Sequence, residues 1–167
     1  MQAIEIALDW RWAPVLVLGT YLLAQNVLPA RFPAWEWSTS WLTALAAVVT
    51  GEIALLLHEM THAALARSQG IRVKQIIFHG FRAQTLMDPR AGTQRGEVLI
   101  ALGGPAVNVA LAVLAELARV ALISQGPLDV FLLMLGIGNA AAAALSLLPI
   151  GDSDGARALS GFRRRSV

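Results

Sequence analysis

Residues Thr39 to Ala66 read TSWLTALAAVVTGEIALLLHEMTHAALA. The ionisable side chains here are Glu52, His58, Glu59 and His62, and there is no Lys or Arg. An apolar run of about 20 residues is long enough to cross a hydrocarbon core. The stretch therefore reads as a transmembrane helix with ionisable groups gathered toward one end. Such groups are costly inside a bilayer and, by default, mark function.

Three further apolar runs flank it: Trp12 to Ala30, Val98 to Ser124 and Leu128 to Ile150. The last two are separated only by Gln125, Gly126 and Pro127. The expected fold is an all-α polytopic membrane protein with about four transmembrane helices, forming one domain over residues 1–167. Composition agrees. Charged residues make up 14% and hydrophobic residues 56%, with a mean hydropathy of +0.61. An ordinary soluble domain has about 25% charged residues. The balance excludes a disordered chain, a nucleic-acid binder and most soluble enzymes. Glu5 and Asp9 precede the first run with only Arg11 to offset them. It therefore lacks the basic start of a cleaved signal and reads as an uncleaved span. Cysteine is absent, so neither a disulfide nor a thiolate metal site can form.

Direction follows from the basic residues. The connection between the second and third runs carries Arg67, Arg72, Lys74, Arg82, Arg90 and Arg95. The tail carries Arg163, Arg164 and Arg165, whereas the first connection has Arg31 alone. Basic loops stay in the cytoplasm, so both termini and the long connection are expected there. Trp10 and Trp12 at one end of the first run, and Trp35, Trp37 and Trp41 at the other, fit the aromatic belts of a bilayer interface. The connection itself has strand-like content in Ile71, Val73, Ile76, Ile77, Phe78 and Phe81. Gly80 and Asp88-Pro89 mark turns, so a small membrane-associated β element is expected between the second and third helices.

Within the second run, His58-Glu59-Met60-Thr61-His62 places two imidazoles four residues apart, on one face of a helix. They can converge on one zinc ion, and Glu59 is placed as general base for a water that the metal activates. Two histidines leave zinc in need of a third protein ligand. Asp152 and Asp154 are candidates, because Pro149, Gly151 and Gly155 interrupt the helix around them. Irregular backbone at membrane depth is tolerated where it lines a protein cavity.

These elements together resemble the site-2 protease family of intramembrane zinc metalloproteases, over roughly residues 40 to 160. The zinc helix matches at His58 to His62. Gly104-Pro105-Ala106-Val107-Asn108 is similar to the family's Gly-Pro-x-x-Asn. Leu148-Pro149-Ile150 followed by Asp154-Gly155 is similar to its proline-containing run ending in Asp-Gly. The resemblance implies Asp154 rather than Asp152 as third ligand, and one zinc per chain. Ser146 stands where the family has Asn, and Ala156 where it has a second Gly. On this alignment Gly104, Pro105, Asn108 and Ser146 bind or position substrate. From the residues alone, Asn108 serves equally well as packing glue between helices. Glu52 lines a water path or the substrate groove, or is protonated and bonds a neighbouring helix; Glu116 and Arg119 form a local pair, and His79 is not a ligand.

The activity implied is zinc-dependent hydrolysis of peptide bonds within or next to transmembrane segments of other proteins, in regulated intramembrane proteolysis. Membrane-tethered regulators or signal-peptide remnants would be substrates, in a prokaryotic cell membrane, with the site on the cytoplasmic side. The expected form is a minimal member without a PDZ or nucleotide-sensing module. A homodimer or an accessory membrane partner is expected to shield the site. The competing readings are a non-catalytic scaffold that binds transmembrane helices, and a membrane zinc protease cleaving at the cytosolic surface.

Overall fold

A computed structural model describes residues 4–79, 83–88, 93–122 and 125–163. Gly80, Phe81, Arg82, Pro89, Arg90, Ser124, Arg164 and Arg165, which entered the sequence reading, lie outside those residues. Four helices are long and apolar enough to cross a membrane: α1 Trp12–Arg31, α2 Trp37–Ser68, α3 Gln94–Ala121 and α4 Pro127–Leu147. They make the chain an integral membrane protein. A short helix, α5 Asp154–Arg163, follows the last of them.

Local chemistry sets the boundaries. Helix α3 starts four residues earlier than its apolar run, because the Thr93 hydroxyl accepts from the Gly96 amide at 3.1 Å. A capping oxygen of this kind satisfies a donor that the first turn leaves open. Helix α4 ends at Leu147, three residues before its apolar run does. Leu148 is extended at φ −63° and ψ 129°, since the residue before a proline is pushed out of the α region. In α1, Leu23–Val27 forms a π turn, with the Leu28 amide reaching back to Leu23. Pro29 has no N–H to give and crowds the preceding turn; widening the helix there relieves it.

The β element has three strands in the order β1-β2-β3. The second and third, β2 Val73–Phe78 and β3 Ala83–Met87, form the expected antiparallel pair. The first, β1 Glu5–Leu8, was not anticipated; it pairs parallel with β2 from Glu5↔Gln75 to Leu8↔Phe78. A register shift between Val73 and Gln75 changes the alternation of β2. Val73, Ile76 and Phe78 thereby all face inward, as a bulge allows.

Two apolar clusters mark the two ends of the bundle. One joins Ala63 and Ala66 of α2, Ile71, Val73, Ile76 and Phe78 of the sheet side, and Ile100 of α3. Ile76 and Ile100 are fully buried against each other's elements, so the sheet is packed onto the helices. The other joins Ala24 and Leu28 of α1, Ala44 of α2 and Val130 of α4. Trp35 and Trp41 pack on this second cluster, while Trp10 and Trp37 are exposed. The expected aromatic belt thus divides, with two of the three distal tryptophans spent on packing. Near that end Arg119 makes a two-pronged pair with Glu116, at 2.8 and 2.9 Å, and reaches Asp129 at 3.2 Å. The local pair read from sequence therefore also ties α3 to α4.

Candidate metal centre

Helix α2 carries His58 and His62 on one face and Glu59 beside them, all three buried. The Nε2 atoms of the two histidines are 3.0 Å apart. Asp154 Oδ2 lies 3.1 Å from His58 Nε2 and 3.3 Å from His62 Nε2. Three atoms with lone pairs thus form a nearly equilateral triangle in a buried setting. Such a triangle is repulsive unless a proton or a cation holds it together. With zinc–nitrogen distances of about 2.0–2.1 Å, tetrahedral ligand atoms sit roughly 3.3 Å apart. The donor set and its spacing therefore fit a zinc ion with room for one further ligand. A carboxylate oxygen of Glu59 lies within 4.8 Å of the two histidine ligand atoms.

Asp154 owes its position to an irregular turn. The Ser153 hydroxyl donates to the Leu148 carbonyl and accepts from the amides of Ile150 and Ala156, each at 3.2 Å. It closes the turn after Pro149 and caps α5, so Asp154 opens the helix pointing at the histidines. Asp152, two residues earlier, is exposed. At Gly155 a Cβ would run into the Leu147 carbonyl. Only glycine lets α5 start this close to the end of α4.

Helix α3 supplies the opposite wall. A Cβ at Gly104 would occupy the space next to His58 Nε2 and His62 Nε2, where the ion would sit. At Gly103 it would collide with Leu65. Pro105 follows inside the helix; having no N–H, it leaves the bond to the Ala101 carbonyl unmade. Next to that gap, the Ile100 carbonyl accepts from His62 Nδ1–H at 2.6 Å. This bond fixes the tautomer and leaves Nε2 free for the metal.

Asn108 sits 3% exposed with its amide 3.1 Å from His58 Nδ1, and its Oδ1 has no partner. Amide oxygen and nitrogen are assigned from the network around them. Turning the amide over lets Oδ1 accept from His58 Nδ1–H. His58 is thereby given the same tautomer as His62. Asn108 is thus within hydrogen-bond reach of His58.

Other residues singled out from sequence fall elsewhere. The Ser146 hydroxyl donates to the Ala143 carbonyl of its own helix at 3.0 Å. A serine in a helix reaches the preceding turn more readily than a distant site. Glu52 lies near the Trp12 side chain of α1, with its Oε2 buried and without a hydrogen-bond partner among the described residues. His79 faces Asp9 at 3.4 Å. Thr85 was missed. It lies on β3, and its hydroxyl is 2.7 Å from Glu59 Oε2.

No family model matches the chain. Over 144 residues it is 28% identical to sll0528 of Synechocystis sp., which is named as a candidate zinc metalloprotease. Over 106 residues it is 30% identical to Rip3 of Mycobacterium tuberculosis, named in the same way. Those alignments cover 86% and 64% of this chain but only 38% and 27% of the two relatives. The chain thus spans well under half the length of the curated relatives it matches. In fold it superposes on the site-2 protease from Methanocaldococcus jannaschii with a TM-score of 0.66 and 19% identity. That match covers 99% of this chain and 70% of the other.

Proposed function

We propose that this chain, which has the fold of the site-2 protease and resembles that family in sequence, is a zinc metalloendopeptidase acting on transmembrane segments. The observation that carries the reading is the triangle of His58, His62 and Asp154, with edges of 3.0 to 3.3 Å and Glu59 beside it.

His58, His62 and Asp154 would hold one zinc ion. When bound, zinc supplies a Lewis acid that acidifies a water and polarises a carbonyl. The Glu59 carboxylate takes the proton of the attacking water and returns it to the amide nitrogen. The water oxygen bonds the carbonyl carbon, the C–N bond breaks, and the fragments leave as a carboxylate and an amine. Ile100 and Asn108 keep both imidazoles in the tautomer this needs. Gly104 keeps the space open.

The substrate class is a transmembrane segment of another protein, cut within or next to the membrane. Membrane-tethered regulators and signal-peptide remnants are of this kind. A helical backbone is closed to nucleophilic attack, so the segment must be extended first. Strand β3 pairs on one side only among the described residues. A free sheet edge of this kind can take up an extended peptide. The site belongs on the cytoplasmic side of a prokaryotic cell membrane. The basic connection supports this, as does the pairing of β1 with β2, which brings the N-terminal strand to the same end.

Zinc analysis of detergent-purified protein, paired with cleavage of a single-span substrate, tests the reading. One zinc per chain is expected, with cleavage lost to a chelator and restored by zinc. Cleavage by metal-free protein at the full rate would contradict it.

A further inference from the structure

We infer that Thr85 is a positioning residue for Glu59, a role that rests on the proposed hydrolysis. Thr85 sits in the middle of β3, paired with Ile76 of β2. Its side chain is buried, as is that of Glu59. The Oγ1 atom is 2.7 Å from Glu59 Oε2 and 3.1 Å from the Glu59 carbonyl. The shorter contact is the hydroxyl donating to the carboxylate. Glu59 is 26 residues away in sequence and on another element. The bond is therefore tertiary and joins the sheet to the zinc helix.

Its consequence is mechanical. A glutamate side chain loses rotamer freedom when it is fixed. Threonine is stiff at χ1 because it is branched at Cβ, and β3 is held by its ladder to β2. The hydroxyl is thus a rigid donor, and it takes up one carboxylate oxygen. Oε1 is left for the water proton. The same bond restrains the carboxylate from swinging onto the metal, where it would take the position the water needs. A general base works only within hydrogen-bond reach of the proton it abstracts, and small misplacements cost large factors in rate. The strand that would receive the substrate thus also carries the residue that aims the base.

The test compares Thr85→Val, Thr85→Ser and wild type in the zinc-loaded protein. Thr85→Val keeps the shape and the strand but removes the donor. Its kcat is expected to fall by at least tenfold at unchanged KM and zinc content, and Thr85→Ser is expected to return kcat to within threefold. A second readout is independent of turnover: the visible absorption of the cobalt-substituted protein. Thr85→Val should change that band in wild type but not in a Glu59→Gln background. A Thr85→Val protein with wild-type kcat and an unchanged cobalt band overturns the inference, as does failure of serine to restore kcat. If Glu59→Gln itself cleaves at the normal rate, the hydrolase reading fails. The cobalt comparison still decides whether Thr85 holds Glu59.

Discussion

Asp154 Oδ2 lies 3.1 Å from His58 Nε2, although 96 residues separate the two in the chain. The contact closes a ligand set that starts on α2 and ends on the first residue of α5. Asp154→Ala should therefore reduce zinc affinity by more than the roughly 10–100-fold typical of losing an outer partner. Asp152→Ala should leave it unchanged, because Asp152 is exposed and outside the triangle. Competition with a chromogenic zinc chelator measures both.

Gly104 has the most restrictive position on α3. Gly104→Ala puts a methyl group between the two imidazoles, so it should abolish stoichiometric zinc binding. Gly138, in α4, has nothing within 4 Å of the place its Cβ would take. Gly138→Ala should be neutral or add up to about 1 kcal/mol of helix stability. Metal analysis and thermal unfolding in detergent distinguish the two variants.

Asn108 should matter through His58. Asn108→Ala removes the acceptor for His58 Nδ1–H and should weaken zinc binding by about 10–100-fold. Asn108→Asp keeps an acceptor in the same place and should retain most of the affinity. Equal loss in both variants would point to packing instead.

Asp9 gives a pH dependence outside the membrane-spanning helices. The Arg11 side chain, followed by the Arg11 amide, holds its carboxyl well below the ordinary value, which is about 3.9. A carboxyl depressed on folding contributes stability above its unfolded pKa, and that contribution is lost as pH falls through the folded one. The bond from the Asp9 amide to the Phe78 carbonyl, 2.9 Å long, shares this end of the sheet. Wild type should lose more thermal stability than Asp9→Asn between pH 6 and pH 3, with no difference in slope above pH 6. Unfolding monitored at a series of pH values gives the comparison.

Hydropathy made the four spans legible, because a bilayer demands long uninterrupted apolar runs whatever the packing. It could not place their ends. Leu148 leaves the helix because Pro149 follows it, and Thr93 starts α3 early by capping, both local effects beneath an apolar average. Helical spacing brought out His58, Glu59 and His62, since i and i+4 face one way. The convergence of Asp154 on them came from the motif resemblance, and its cause, the Ser153 turn, has no periodic signal. Strand β1 was hidden because Glu5–Leu8 is only four residues long and draws its stability from β2. Thr85 was hidden because a lone threonine in a strand looks ordinary until its partner across the fold is known.

The central claim is that Glu59 performs proton transfer at a metal held by its neighbours. The most direct test is cleavage of a single-span transmembrane substrate by wild type and Glu59→Gln, co-expressed with the substrate and then purified with zinc content measured. The account predicts equal zinc content and a loss of cleavage of about 100-fold or more, the scale of general base contributions. A Glu59→Gln protein that holds its zinc and cleaves at the wild-type rate would contradict it.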